Sequence, residues 1–175
     1  SVSFPKIHIA VSGIEKVIPS IHDLPLFWPL LSAMGTGQQV TVYNSLITGP
    51  KKENENSGPQ KMVVVLLDNK RTEIVQEPEI SQSLKCIRCG ACLNACPIYK
   101  NVGGYTYNTT YSGPIGSVIT PYLQDFKKYG HLSFACTVCG ACTEVCPVKI
   151  PLHRLLLLNR KKYVEQKNEK LSWNA

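Results

Sequence analysis

Cys86-Ile87-Arg88-Cys89-Gly90-Ala91-Cys92-Leu93-Asn94-Ala95-Cys96-Pro97 is answered further along the chain by Cys136-Thr137-Val138-Cys139-Gly140-Ala141-Cys142-Thr143-Glu144-Val145-Cys146-Pro147. All eight cysteines of the chain lie inside these two runs. The C-x2-C-x2-C-x3-C-P spacing is the signature of bacterial two-cluster proteins, in which the fourth cysteine of each run ligates the other run's [4Fe–4S] cluster. The reading is two cubane clusters that carry electrons one at a time.

Thiolates are soft ligands suited to iron, and three of them at steps of three residues let the backbone wrap one corner of a cubane with its amide N–H groups free to face sulfur. Gly90 and Gly140 sit where the wrap is tightest, and Pro97 and Pro147 turn the chain away after the fourth cysteine. The expected ligand sets are therefore Cys86, Cys89, Cys92 with Cys146, and Cys136, Cys139, Cys142 with Cys96. Structural zinc takes four ligands as two separated pairs, so the additional cysteines of each run exceed its needs. Disulfides need an oxidising compartment and poorly suit cysteines three apart on one turn. A cluster enzyme with an open iron commonly supplies three cysteines to it, whereas eight cysteines for two clusters leave no iron open. No Ser/His/Asp or paired-carboxylate arrangement stands out, and no catalytic site is expected in this chain alone.

Composition narrows the partners. The formal charge is +7, but two oxidised clusters with their thiolates would contribute on the order of −4. The holo-protein is then only mildly basic, and without a nucleic-acid motif the reading is no nucleic acid. Arg160-Lys161-Lys162 reads as cations complementing the C-terminal end of a helix dipole. The longest apolar run, Met62 to Leu67, is far too short for a transmembrane segment, and there is no signal-peptide pattern, so the expected location is cytoplasmic. His8, His22, His131 and His153 lack metal-ligand spacing and read as ordinary surface or packing residues.

Pro5 to Val11 alternates and stops at Gly13, as a strand does. Leu24, Phe27, Leu30, Leu31 and Met34 recur at helical steps, with Ser20 and Asp23 resembling a capping box ahead of them. Gly35 to Gln38 reads as a helix C-cap turn in preference to an anion nest. Gln39 to Leu46 and Lys61 to Asp68 read as two further strands around the polar loop Gly49 to Gln60, and Met62 to Leu67 as a buried central one. Three strands and one helix in residues 1–80 make an incomplete α/β layer. The start at Ser1 favours a piece of a longer chain, and an apolar sheet face around Val63 and Val65 should be left bare and drive self-association. The spacer between the runs is rich in Gly and Tyr and can hold a helix over Val118 to Lys128. A last helix should begin at Pro151 and run through Leu155, Leu156 and Leu158. Leu84, Ile87, Ile98, Val138 and Val148 are expected around the clusters. Arg88 either raises the potential of its cluster or is merely solvated.

Gly103-Gly104, Tyr111 to Gly116, Thr120-Pro121 and the stretch Cys139 to His153, set within Cys86 to Leu158, resemble the iron–sulfur subunit of the bacterial L-lactate utilisation complex, the lactate utilisation protein B family. Gly13 to Pro19, Gly35 to Gln38, Gly49-Pro50 and Asp68 to Arg71 resemble the closing half of that family's lactate-utilisation domain. The resemblance implies an α+β chain: a truncated α/β, CoA-transferase-like segment over 1–80, an α-helical di-cluster ferredoxin-like domain over 81–163, and a polar tail over 164–175. It also implies a relative with several hundred further residues ahead of this part. The implied role is an electron-transfer subunit that works with two partner subunits to oxidise L-lactate to pyruvate and passes electrons to an acceptor that the sequence does not specify. Alternatives are the same module in another respiratory dehydrogenase or a heterodisulfide-reductase-like complex, and a scaffold whose clusters only staple the fold. Lys70 stands where the resemblance puts a glycine, a change expected to matter only to a turn.

Overall fold

The computed structural model describes residues 4–42 and 44–172, with side chains through Lys167. Strand β1 (Ile7–Gly13) leads through 3-10 turns at Ile14–Lys16 and Ile21–Asp23 into helix α1 (Leu24–Thr36), and β2 (Lys61–Leu67) then returns to lie parallel to β1. The register runs from Ile7 opposite Lys61 to Gly13 opposite Leu67. Seven further helices and three 3-10 turns carry the rest: α2 (Arg71–Gln76), α3 (Pro78–Ser81), α4 (Ala91–Ala95), α5 (Pro97–Val102), α6 (Gly113–Leu123), α7 (Phe126–Tyr129) and α8 (Ala141–Glu144), before the long α9 (Leu152–Ser172). No helix of the described residues is long and apolar enough to cross a membrane.

Three sequence-based expectations near the sheet fail. Gln39 to Leu46 forms no strand among its described residues, Tyr43 lying outside them. A strand needs a neighbour for its backbone groups, and the sheet of the described residues contains only β1 and β2. Val42 accordingly stands 89% exposed. The second failure is the cap: Ser20 accepts from the N–H of His22 and so closes the 3-10 turn, while Asp23 gives α1 no side-chain bond. The C-terminal reading holds, since Gly37 adopts a left-handed φ of 71° and its N–H reaches back to Ala33 and Ser32. Lys70 also adopts a left-handed φ of 66°, the conformation in which glycine loses nothing.

The third failure is Met62 to Leu67, which is not a buried central strand: with β1 as its one partner among the described residues, β2 is an edge strand and mostly exposed. Ile9, Val11 and Val64 are exposed, and Val65 is 40% exposed. Parallel sheets are ordinarily covered on both faces, so this layer is incomplete as it stands.

The core lies in the other part of the molecule. Ile74 and Ile80 pack with Val118, Ile119, Leu152 and Leu156 in one cluster, so α2 and α3 already belong to that core. Helix α6 is its centre, and every residue of it except Tyr122 is buried. It begins five residues before the expected helix and ends at Leu123, with α7 following as a separate turn. Pro121 within it has no N–H, which leaves the carbonyl of Ser117 without its helical donor. Ser133 Oγ and Asn159 Nδ2 each supply one at 3.3 Å. Asn159 is fully buried on α9, also donates to Val118 O at 3.0 Å, and accepts from the Tyr122 hydroxyl at 3.0 Å. Leu152, Leu155, Leu156 and Asn159 form one face at helical spacing, which seats α9 against α6. Pro151 precedes the helix, where its carbonyl accepts from Arg154 and Leu155.

Candidate metal centres

The two cysteine runs fold alike. Arg88 and Gly90 have φ of 62° and 80°, and Val138 and Gly140, at the same places in the second run, have 57° and 82°. In each run the glycine carbonyl accepts at 2.9 Å from the N–H three residues on, Leu93 or Thr143, and opens a short helix. The fourth cysteine closes that helix at 3.2 Å through Leu93 O or Thr143 O. A Cβ on Gly90 or Gly140 would meet nothing within 4 Å, so the glycine answers to backbone conformation beside open space. A β-branched residue in this region is a steric outlier, costing roughly 1–2 kcal/mol. Val138 therefore marks a loop whose shape is imposed by its task.

Each loop borders a cavity. Cys86, Cys89 and Cys92 line one of about 190 Å³, and the cysteine that joins them there is Cys146, from the other run. Cys136, Cys139 and Cys142 line a tighter one of about 20 Å³ together with Cys96. Ile87 and Val148 wall the first, and Ile98 walls the second beside His153. Leu84 packs on the adjoining core. Backbone N–H groups point at sulfur: Val138 to Cys136 Sγ at 3.3 Å, Ile150 to Cys146 Sγ at 3.4 Å, and Tyr99 to Cys96 Sγ at 3.5 Å.

Burial divides the thiols. Desolvation pushes Cys92 up to about 12 and Cys142 to about 11, whereas the exposed Cys139 is lowered by the N–H of Ala141 and then by the Thr137 side chain. The thiolate is the form that binds metal, so loading the buried positions must release protons. Four thiols per cavity, apolar walls and amide donors aimed at sulfur suit an iron–sulfur cubane.

Comparison with known proteins agrees with this chemistry. Residues 82–150 match the family described as a 4Fe-4S dicluster domain, and residues 1–67 match the LUD domain. Lactate utilization protein B of Anoxybacillus flavithermus is 43% identical over 99% of this chain, covering 38% of its own length. The Bacillus subtilis protein of that name is also 43% identical, over 99% of this chain and 37% of its own. That of Bacillus cereus strain AH820 is 47% identical over 94% of this chain and 34% of its own. Nearly the whole chain is thus similar to lactate utilization protein B. It spans a little over a third of the length of these curated relatives. No solved structure matches it.

Residues with no metal-ligand signature hold the walls of these two cavities. The carbonyl of the first cysteine in each run accepts from a cation that comes from elsewhere in the chain. Lys16 Nζ donates to Cys86 O. Arg160 Nη2 donates to Cys136 O at 2.6 Å while its Nε holds Ser133 O at 2.9 Å. The basic cluster is thus not a helix end. It lies in the middle of α9, where Arg160 faces inward, Lys161 is 3.9 Å from Glu165 and Lys162 pairs with Glu77. Arg88 is not freely solvated either, since its guanidinium lies 4.0 Å from the Tyr111 ring centroid. His153 shares a 2.8 Å hydrogen bond with Thr143 Oγ1, the role of a packing residue at the rim of the second cavity.

Proposed function

We propose that this chain is the electron-transfer part of a lactate-oxidising system, holding two [4Fe–4S] clusters with crossed ligand sets: Cys86, Cys89, Cys92 with Cys146, and Cys136, Cys139, Cys142 with Cys96. The observation that carries the reading is the make-up of the two cavity walls, each with three cysteines from one run and the fourth from the other. Clusters of this kind supply one-electron redox chemistry at potentials set by charge, hydrogen bonds to sulfur and exposure. The chain's own residues exclude water with Ile87, Val148 and Ile98, orient the thiolates through the amides of Val138, Ile150 and Tyr99, and anchor the loops through Lys16 and Arg160.

The proposal extends to architecture. Residues 1–80 are read as part of a CoA-transferase-like α/β unit, 81–163 as the cluster domain and 164–175 as a polar tail, in a cytoplasmic protein. Partner subunits would carry out the oxidation of L-lactate to pyruvate. The curated relatives carry lactate utilisation in their printed names, and that is the support for the substrate. A parent protein containing this chain, mixed with those partners, is expected to show lactate-dependent bleaching of its cluster absorbance, while the chain alone does not oxidise lactate. Lactate oxidation by the isolated chain would overturn the carrier assignment. Absorbance that stays unbleached during turnover would favour clusters that only staple the fold.

The bare sheet carries a second expectation. The isolated chain should self-associate through β1 and β2, because exposed apolar faces of this kind are uncommon on monomers. Sedimentation velocity with hydrogen exchange checks it, and a strict monomer with Val63 to Leu67 protected would count against it.

A further inference from the structure

Glu15 lies between the sheet and the first cysteine run, and its side chain is 6% exposed. Its Oε2 is 2.5 Å from Arg71 Nε, and its Oε1 is 3.9 Å from Arg88 Nη2 and 3.8 Å from Lys16 Nζ. Arg71, itself 3% exposed, donates to Asp68 O at 3.0 Å and lies 3.5 Å from the Tyr111 hydroxyl. Tyr111 in turn stacks under Arg88. Glu15, Arg71, Tyr111 and Arg88 therefore form a closed ring, with Glu15 from the turn after β1, Arg71 from the start of α2 and the other two on the wall of the first cavity. Gly13 leaves room for it: a Cβ there would lie 2.2 Å from Glu15 Oε2 and 2.8 Å from Arg71 Nε. Within this group three cations face one carboxylate. A buried ion pair contributes little net stability for what its desolvation costs, so such networks are weak evidence of a stabilising role alone.

We infer that Glu15 is a positioning residue for the first cluster. It fixes Arg88 in its left-handed turn and against Tyr111, so that the guanidinium charge stays beside the cavity of Cys86, Cys89, Cys92 and Cys146. The inference rests on the cluster reading proposed above. Its consequence is that the α/β segment helps set the potential of the first cluster, because a fixed cation favours the state with one more electron. The second run is built differently: Val138 stands where Arg88 does, and its nearby cation, Arg160, is held on carbonyls and not by a carboxylate.

The experiment is an EPR-monitored redox titration of the anaerobically reconstituted chain, with the two signals assigned by Cys139→Ser. Arg88→Gln should shift the reduction equilibrium of the first cluster at least tenfold toward the oxidised form, which is 59 mV for one electron, and leave the second unmoved. Arg88→Lys should restore part of the shift. Glu15→Gln separates positioning from simple charge, since deleting a negative charge should raise the potential through space, whereas loosening Arg88 should lower it. A fall supports the inference, and a rise or no change overturns it. If Glu15→Gln does not fold with Arg71 buried and unpaired, Glu15→Asp decides: it keeps the charge but shortens the reach to Arg88, so a fall in the first potential supports the inference and no change overturns it. A parent with two clusters and an unmoved Arg88→Gln titration overturns this inference only, whereas a parent without clusters overturns the cluster reading as well.

Discussion

The two cysteine runs share one spacing, one pair of left-handed positions and one set of turn hydrogen bonds, yet the molecule holds them from opposite sides. The first is clamped from the N-terminal segment: Lys16 reaches Cys86 O, and Glu15 reaches Arg88. The second is clamped from the C-terminal helix by Arg160, which takes two carbonyls at once and lies 5.5 Å from the Phe134 ring centroid. The thiols differ in setting as well, with Cys139 exposed and its counterpart Cys89 half-buried. Local sequence thus sets the shape of a cluster loop, and remote residues set its surroundings. On the proposed reading, two clusters of one kind would then differ in potential and access without any change in their ligands.

The largest effect should come from the fourth cysteines, which tie the two loops together. Cys146→Ser should remove or alter the cluster of Cys86, Cys89 and Cys92, and Cys96→Ser that of Cys136, Cys139 and Cys142. Iron and acid-labile sulfide should fall from about eight of each per chain to about half. Elemental analysis with EPR decides it. If Cys146→Ser instead abolished the cluster of its own run, the crossed assignment would fail and the comparison would become one of two independent sites.

A smaller effect separates the clamps. Hydrogen bonds from charged donors contribute about 1.5–3 kcal/mol each when they are removed and the acceptor stays buried. Arg160→Met loses two such bonds and should destabilise the folded chain by about 3 kcal/mol. Lys16→Met loses one bond and the approach to Glu15 at a half-exposed site, and should cost about 1 kcal/mol. Denaturant unfolding of the apo-protein gives both values. Equal losses would mean that the two runs are held equally, against the asymmetry drawn here.

How much of this was legible beforehand follows from the range of each signal. The cysteine runs, the glycine turns and α1 depend on contacts within a few residues, and their spacing declares them, whereas β1 and β2 showed only as apolar patterns because their pairing is long-range. Arg160 does not declare itself, because its partners Ser133 and Cys136 are distant in sequence and a basic triplet looks the same at a helix end as in its middle. Glu15 and Arg71 were invisible for the same reason, although Gly13 beside Glu15 was the available clue. The strand expected over Gln39 to Leu46 had the right composition, but a strand exists only where a neighbour pairs with it, and composition does not say whether one does. Asn159 shows the converse, since its position was fixed by Pro121: a missing N–H in one helix required a donor from another.

The smallest predicted effect is the most direct test of the shared loop. Val138 and Arg88 occupy the same left-handed position, where a non-glycine residue costs roughly 1–2 kcal/mol and a glycine returns about 0.5–1 kcal/mol of that as lost chain entropy. Val138→Gly should therefore stabilise the apo-protein by a net of about 0.5–1 kcal/mol. Arg88→Gly relieves the same backbone strain but forfeits the contacts to Glu15 and Tyr111. A half-exposed ion pair with a cation–π contact is worth about 1 kcal/mol, so the two changes should cancel there. Thermal unfolding of the pair of variants reads the difference between them. If both glycines stabilised equally, Arg88 would be a bystander in its loop, and Lys16 would be left to tie the first run to the segment that precedes it.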